Sequence, residues 1–324
     1  MRRREVIASL LVSPWASAFA QDARQPARIG WLKIQDRNAT PGWMTAFVAG
    51  LEALGHVQGR SYTLVERYAD GDASRLATLA GELVREGVAL IVATSQPATE
   101  AAARATSSVP IVGRMTDDPV ANGMAVSLAK PGKNVTGIYS LLEEMSPKRL
   151  GLLRQVVPSL RRAGALLTSG RGATAHWLSE TQVAAQQMGV DIHIMDVRSL
   201  GDLDSVFAQA AETEIGGLLG FRNPTIVTHY RRVIELSNQH RIPGIFDARE
   251  FAEAGALLSY GPNLDAMFSR SAYFADRIIK GTRPDALPIE QPTRFELVIN
   301  LKTARLLGLD LPPVLLAGAD EVIE

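Results

Sequence analysis

A chain of 324 residues is too long for one small core and suits two domains. Hydrophobic residues make up 46% and charged residues 21%, an ordinary globular balance. Lys and Arg total 34 and Asp and Glu total 34, so no basic stripe or acidic tail asks for nucleic acid as a partner.

Arg2-Arg3-Arg4 precede a short apolar stretch, residues 6–16, and then Ala18-Phe19-Ala20. This is the basic, apolar and small-x-small order of a secretory signal peptide over residues 1–20, with cleavage expected after Ala20. The apolar stretch is too short to span a bilayer. Arg3-Arg4-Glu5-Val6-Ile7 also suits a twin-arginine signal, so both export routes stay open. Cleavage would remove three basic residues and one acidic residue, leaving 31 and 33 and a net charge near −2. The chain has no cysteine, hence no disulfide and no thiol for a lipid anchor. The expectation is a free periplasmic protein, not a lipoprotein.

Short apolar runs then alternate with amphipathic stretches. Residues 29–34 predict a strand and 44–54 a helix, with Phe47, Leu51 and Leu54 on one face and Gly55 beyond its end. A second strand follows at 62–68. Leu76, Leu79, Ala80, Leu83 and Val84 give a helical stripe. Residues 88–93 predict a third strand and 109–112 a fourth, with an alanine-rich helix between them. After residue 140 the alternation restarts. Helices at 148–157, 175–188, 203–211 and 227–240 lead to strands at 163–168, 190–195, 217–221 and 243–246. The pattern implies parallel sheets covered by helices on both faces, in two doubly wound domains. The last stretch predicts strands at 256–260 and 295–300, a helix at 264–280, a proline-punctuated connector at 281–292 and a short helix at 302–307. It is too short for a third domain and must complete the first two. The chain then crosses between domains more than once, which makes a hinge.

In open parallel sheets, ligands bind beyond the carboxyl ends of strands. The residues there are 33–36, 94–96, 114–118, 169–171, 221–223 and Asp247. Among them Gln35, Thr94, Ser95, Thr116, Asp117, Asp118, Ser169, Arg171, Phe221, Asn223 and Asp247, with Tyr260 nearby, are the candidate ligand-binding residues. Ser95 or Gln96 suits a helix cap, with Pro97 in the first turn. The free N–H groups and dipole of that turn favour an anion such as a carboxylate. Plain capping is the competing reading. A nucleophilic serine would need a nearby base and a G-x-S-x-G turn, and Ser95 has no such surroundings. Gly170-x-Gly172-x-x-Ala175 fits the dinucleotide pattern once, which keeps open an exported enzyme, either a nucleotide-dependent oxidoreductase or a hydrolase. The other reading is a ligand-facing loop in which Arg171 meets an anion. The five histidines, His56, His176, His193, His229 and His240, are not paired at metal-ligand spacing. No metal or cofactor is expected. The equipment suits gripping a small zwitterion.

Four stretches carry a resemblance. They are "FVAGLEALGHVQGRSYTLVERYADGDASRLATLAGELV", "DDPVANGMAVSLAKPGKNVTGIYSL", "REFAEAGALLSYGPN" and the closing "LPIEQPTRFELVINLKTARLLGLDLPPVLLAGADEVIE". In them the chain resembles the substrate-binding proteins of bacterial ABC importers, in the group that includes tryptophan- and tyrosine-binding lipoproteins. The resemblance implies a type I periplasmic binding protein fold, two doubly wound lobes joined by a three-crossing hinge that close over a ligand. It implies lobe 1 at 21–139 plus 263–290 and lobe 2 at 140–262 plus 291–324. The implied partners are a small ligand such as an amino acid and an inner-membrane permease, with the receptor a monomer. A receptor feeding a signalling kinase is the variant that sequence does not separate. Thr94 and Ser95 correspond to the family's hydroxyl loop, and Asp118-Pro119-Val120 to its D-P-V turn. Asp247 precedes Arg249-Glu250-Phe251, which leads to Gly255 and Tyr260. A ligand carboxylate would meet Thr94 and Ser95, an ammonium Asp117 or Asp247, and an apolar part Phe221 or Tyr260. "WLKIQD" at 31–36 and "SGRGA" at 169–173 depart from the family pattern, and both face the expected cleft.

Overall fold

The computed structural model describes residues 25–39, 42–140, 145–168, 172–221 and 223–324. The expected signal peptide lies outside the described residues, as do Ser169 and Arg171.

The first sheet joins β1 (Ala27–Lys33), β2 (Tyr62–Tyr68), β3 (Leu90–Ala93), β4 (Ile111–Met115) and β5 (Val135–Tyr139) in the parallel order β2-β1-β3-β4-β5. Side chains alternate across it as the pleat requires. Ile29, Trp31 and Val92 face one buried layer, while Leu32, Ile34, Ile91 and Ile111 face the other. Burial on both faces is why these strands read as continuous apolar runs. One layer is α1 (Gly42–Ala53) with α10 (Leu264–Ile279), packed so closely that a methyl group on Gly50 would lie 2.8 Å from Ala272 Cβ. The other is α2 (Leu76–Arg85) with α3 (Gln96–Ala105).

The second sheet has seven strands: β6 (Arg162–Leu167), β7 (Asp191–Asp196), β8 (Gly217–Gly220), β9 (Gly244–Phe246), β10 (Leu258–Pro262), β11 (Phe295–Asn300) and β12 (Glu321–Ile323). Their order is β12-β11-β10-β9-β8-β6-β7. β11 pairs antiparallel with β10 and parallel with β12, the one departure from the expected parallel pairing. Its helices include α4 (Ser146–Val156), α5 (Gly172–Met188), α6 (Leu203–Glu212), α7 (Pro224–Thr228), α8 (Tyr230–Gln239) and α9 (Arg249–Glu253). The helix expected at 227–240 is therefore two, broken at His229, whose φ of −111° and ψ of 26° leave the helical region. The chain closes with α11 (Leu301–Leu307) and α12 (Pro313–Ala317) before β12.

The chain passes between the sheets three times: after β5, between β10 and α10, and before β11. At the last passage Glu290 pairs with the end of β5: its N–H donates to Gly137 O and its carbonyl accepts from Tyr139 N, both 2.9 Å. Asn263 marks the second passage. Its Oδ1 caps α10 at Ala266 N (2.7 Å), and its Nδ2 donates to Glu296 Oε2 (2.7 Å) in the second lobe. One contiguous apolar cluster includes residues of both lobes, so the lobes stand apposed.

Candidate functional site

The carboxyl ends of β1, β3 and β4 face that of β8 across the space between the lobes. A cavity of about 60 Å3 lies there. Ile34, Trp43, Pro97 and Val227 make its apolar walls. Gln35, Ser95, Gln96, Arg114, Thr116 and Asn223 supply its polar atoms. Val227 and Asn223 come from the second lobe and the rest from the first.

Each polar residue is there for a local reason. Gln35 follows β1 on the parity of Ile29 and Trp31, and so turns toward the α1 layer. Arg114 and Thr116 share the parity of Val112. Asn223 is the cap of α7, with Oδ1 accepting from Ile226 N at 2.9 Å. That bond fixes the amide, so Nδ2 points away from the helix. Asn223 Nδ2 and Gln35 Oε1 are both buried and both lack a protein hydrogen-bond partner. A buried amide group left unpaired costs roughly 1–3 kcal/mol, so two at one cavity ask for a bound group. Arg114 is only 4% exposed. Its guanidinium carries five donors, enough to serve the cavity and the protein together.

Gln96 does other work. Its Oε1 accepts from Thr116 N (3.0 Å) and Asp117 N (3.3 Å), and its Nε2 donates to Glu100 at 2.9 Å. It ties the β4 loop to α3. Behind the cavity, Lys33 donates to the carbonyl of Ala39 and sits 5.8 Å and 5.9 Å from the ring centres of Trp43 and Tyr68. Burial lowers its pKa to about 8, against the pull of Asp36.

Four of the residues expected from sequence thus meet in one cavity: Gln35, Ser95, Thr116 and Asn223. The other described candidates do not line it. Thr94 is fully buried, and its hydroxyl donates back to Leu32 O at 3.3 Å. Asp117 accepts from the Thr116 hydroxyl at 3.2 Å, beside the cavity. Asp118 is spent on its own turn, taking the N–H of Val120 at 2.8 Å and of Ala121 at 3.3 Å. Phe221 stacks on Trp177 in the core of the second lobe. Asp247 is buried beneath the sheet end, with its carbonyl so close to Gly261 that a side chain there would clash at 1.9 Å. Tyr260 stacks on Phe295 and offers its carbonyl to Arg149 Nε at 2.8 Å. Asp117, Asp247, Phe221 and Tyr260 are thus absent from the lining of this cavity. Trp43 and Val227 are apolar walls of the cavity, and sequence reasoning missed both because they lie on helices rather than at strand ends.

The two hydroxyls of the β3 loop separate accordingly. Ser95 is the α3 cap, accepting from Ala98 N at 3.4 Å. Thr94→Val is expected to cost about 1 kcal/mol of stability and to leave ligand affinity within twofold. Ser95→Ala is expected to cost a similar amount and also to weaken binding. Urea unfolding and calorimetry on the two variants check this. Loss of affinity in Thr94→Val with unchanged stability would overturn the assignment.

The lobes approach closely near the cavity. Gly71, with φ at 87°, lies against α7, and a methyl group there would come within 3.1 Å of Thr228 Cγ2. The lobes are thus apposed around a cavity whose polar atoms come from both.

Comparison with known proteins agrees. A tyrosine-binding protein of Clostridioides difficile (strain R20291) is 23% identical over 291 residues, 89% of this chain and 83% of that protein. The ABC domain in complex with L-Trp from Streptococcus pneumoniae superposes with a TM-score of 0.83 at 23% identity, over 92% of this chain and 100% of that one. A conserved domain protein from Vibrio cholerae gives 0.83 at 24% over the same shares. A glucose-galactose binding protein from Geobacillus stearothermophilus gives 0.62 at 10%, over 85% of this chain and 98% of that one, so the type I binding-protein fold extends beyond amino-acid receptors. The model of the family described as "ABC transporter substrate binding protein" matches residues 37–323. The chain belongs to the ABC transporter substrate-binding proteins, which bind substrates and are not enzymes.

Proposed function

We propose that this chain is the periplasmic solute receptor of an ABC importer, and that it encloses a small carboxylate-bearing ligand, an amino acid or related compound, between its lobes. The observation that carries the reading is the pair of orphaned polar atoms, Gln35 Oε1 on the first lobe and Asn223 Nδ2 on the second, at one cavity. A ligand bridging them would hold the lobes together, and neither lobe alone offers both. The carboxylate would meet Arg114 and the first turn of α3, where Ser95 and the free N–H groups favour an anion. Relatives named for tyrosine and for L-Trp support an amino-acid-like class.

The lobes in this reading are 21–139 with 263–290, and 140–262 with 291–324, and the three passages are the hinge. Residues 1–20 direct export and are removed, and the receptor works as a monomer. The closed form presents its two lobe tips to an inner-membrane permease.

Small-angle scattering with and without ligand tests the reading. Protein stripped by unfolding and refolding is expected to be open, and addition of a bound carboxylate to reduce its radius of gyration. A ligand that binds without compaction, or compaction that survives Gln35→Ala and Asn223→Ala together, would sink it.

A further inference from the structure

A groove of about 440 Å3 runs between α1 and the edge strand β2, behind the cleft cavity. That is within the range of roughly 300–1,000 Å3 typical of small-molecule sites. Trp31 and Lys33 reach it from β1, Tyr68 from β2, and Met44, Val48 and Glu52 from α1. Every described residue that lines it belongs to the first lobe, so the groove does not depend on where the second lobe stands. Trp31 and Lys33 are two residues apart and share one face of β1. Both are buried, at 1% and 3% exposure, and each leaves a polar group unmet. The Trp31 Nε1–H has no hydrogen-bond partner. A lysine ammonium has three donors. Lys33 Nζ spends one on the carbonyl of Ala39, and otherwise meets the rings of Trp43 and Tyr68, at 5.8 Å and 5.9 Å from their centres.

Among the described residues no carboxylate pairs with that ammonium, and those around it are spent. Asp36 accepts the N–H of Asn38 at 2.8 Å and of Ala39 at 3.1 Å. Glu66 is held by Arg37 at 2.7 Å and by the Tyr68 hydroxyl. Glu52 is exposed and lies nine residues along α1 from Trp43, roughly 13 Å at the helical rise, where solvent screens it. The remaining residues of the β1–α1 loop, Thr40 and Pro41, carry no charge, and Glu143 and Glu144 follow β5, the opposite edge strand of the sheet. A buried charge without a counter-charge is among the costliest arrangements in a protein interior. Burial has drawn the Lys33 pKa down to about 8, still high enough for the ammonium to predominate at neutral pH. An anion in the groove would supply the missing charge and accept from both the ammonium and the indole N–H. Met44, Val48 and the Tyr68 ring would cover an apolar body. We infer that this groove is a second ligand site, separate from the cleft, and that it takes a small organic carboxylate with an apolar or aromatic body, the carboxylate resting on Lys33 Nζ and Trp31 Nε1.

The test is titration calorimetry on protein stripped by unfolding and refolding. The probes are benzoate and phenylacetate, with acetate and inorganic phosphate as anions that lack the apolar body and benzamide as the neutral counterpart. Benzoate or phenylacetate is expected to bind about tenfold or more tighter than acetate, phosphate and benzamide. Lys33→Met is expected to weaken that binding by about thirtyfold or more. Trp31→Phe keeps a ring between Phe47 and Phe268 but removes the N–H, and is expected to weaken it about fivefold. Lys33→Gln is made beside Lys33→Met, so that one misfolded variant does not decide the matter. Stability separates a ligand-binding lysine from a structural one. With its uncompensated charge removed, ligand-free Lys33→Met is expected to melt no lower than the wild type. A lysine that serves only the Ala39 carbonyl would lower the melting temperature and leave benzoate affinity unchanged, which overturns the inference. Arg114→Met separates the groove from the cleft. Benzoate binding that holds in Arg114→Met and falls in the Lys33 variants supports the groove. Binding lost in Arg114→Met, binding indifferent to both Lys33 variants, or silence of folded protein toward benzoate and phenylacetate overturns it. Benzamide matching benzoate overturns the charge, and acetate or phosphate matching benzoate overturns the apolar body.

Discussion

Arg114→Met is expected to weaken binding of a small carboxylate by two to three orders of magnitude while the protein stays folded. The reasoning starts from the strand. "IVGRM" places one charged residue in a run that is otherwise apolar and buried on both faces. A buried guanidinium costs several kcal/mol unless its donors are used. Thr99 and Ser95 are tied to each other and to the strand by Thr99 Oγ1, which donates to Ser95 O at 2.9 Å and contacts Arg114 O at 3.4 Å. The start of α3 and the Arg114 backbone are therefore one rigid unit, and the guanidinium is held where the helix dipole also favours an anion. Truncating one partner of a buried, hydrogen-bonded charge pair costs about 2–5 kcal/mol, with each 1.4 kcal/mol a factor of ten in affinity. Methionine nearly preserves the length of the side chain and removes the charge. Calorimetry with amino acids and other small carboxylates reads the loss, and a far-ultraviolet melt confirms the fold. A change of less than tenfold would show that Arg114 serves the protein and not the ligand.

Much of this was legible because parallel sheets impose a simple rule. Strands buried on both faces read as apolar runs, and the polar residues that end them face the cleft. Gln35, Ser95, Thr116 and Asn223 all follow from that rule. Thr94 does not, because its hydroxyl returns to Leu32 O of the neighbouring strand instead of turning outward. Trp43 was hidden for another reason. In sequence it reads as one more apolar residue at the start of an amphipathic helix. Only the fold shows α1 beginning over the end of β1, with its first turn roofing the cavity. The strand Val135–Tyr139 was missed because "VTGIY" is five residues long and follows the turn-forming Pro131-Gly132-Lys133-Asn134. Its Gly137, with φ at 128°, takes a conformation that no strand pattern announces. The antiparallel β11 is equally silent, since direction is decided by the passage from the first lobe and not by the residues of "FELVIN".

Asp276→Ala is expected to cost about 3 kcal/mol of stability and to weaken ligand binding without touching the ligand. Asp276 lies on α10 with its carboxylate buried. It accepts from His56 Nε2 at 2.8 Å, at the far end of α1, and from Lys280 Nζ at 2.6 Å. Burial alone would raise the carboxyl; the Lys280 and His56 hydrogen bonds outweigh it, and its pKa lies below the ordinary 3.8. Removing the carboxylate leaves the buried His56 without its acceptor, the kind of loss that costs about 3–5 kcal/mol, less here because Lys280 is half in water. Asp276→Asn keeps one acceptor and should cost less. The sign with pH follows from the depressed pKa. The contribution is fully present above the unfolded value, near 3.8, and is lost as pH falls through the lower folded value. Urea unfolding of wild type and Asp276→Asn should therefore differ at pH 7 and converge toward pH 2. The functional consequence runs through Phe268, eight residues earlier on the same helix, which backs the Trp43 indole. If α10 loosens from α1, that wall of the cavity loosens too. Tenfold weaker binding of a small carboxylate such as an amino acid in folded Asp276→Ala would show that the α1–α10 contact holds the cavity in shape. Lost stability with unchanged affinity would confine the pair to folding.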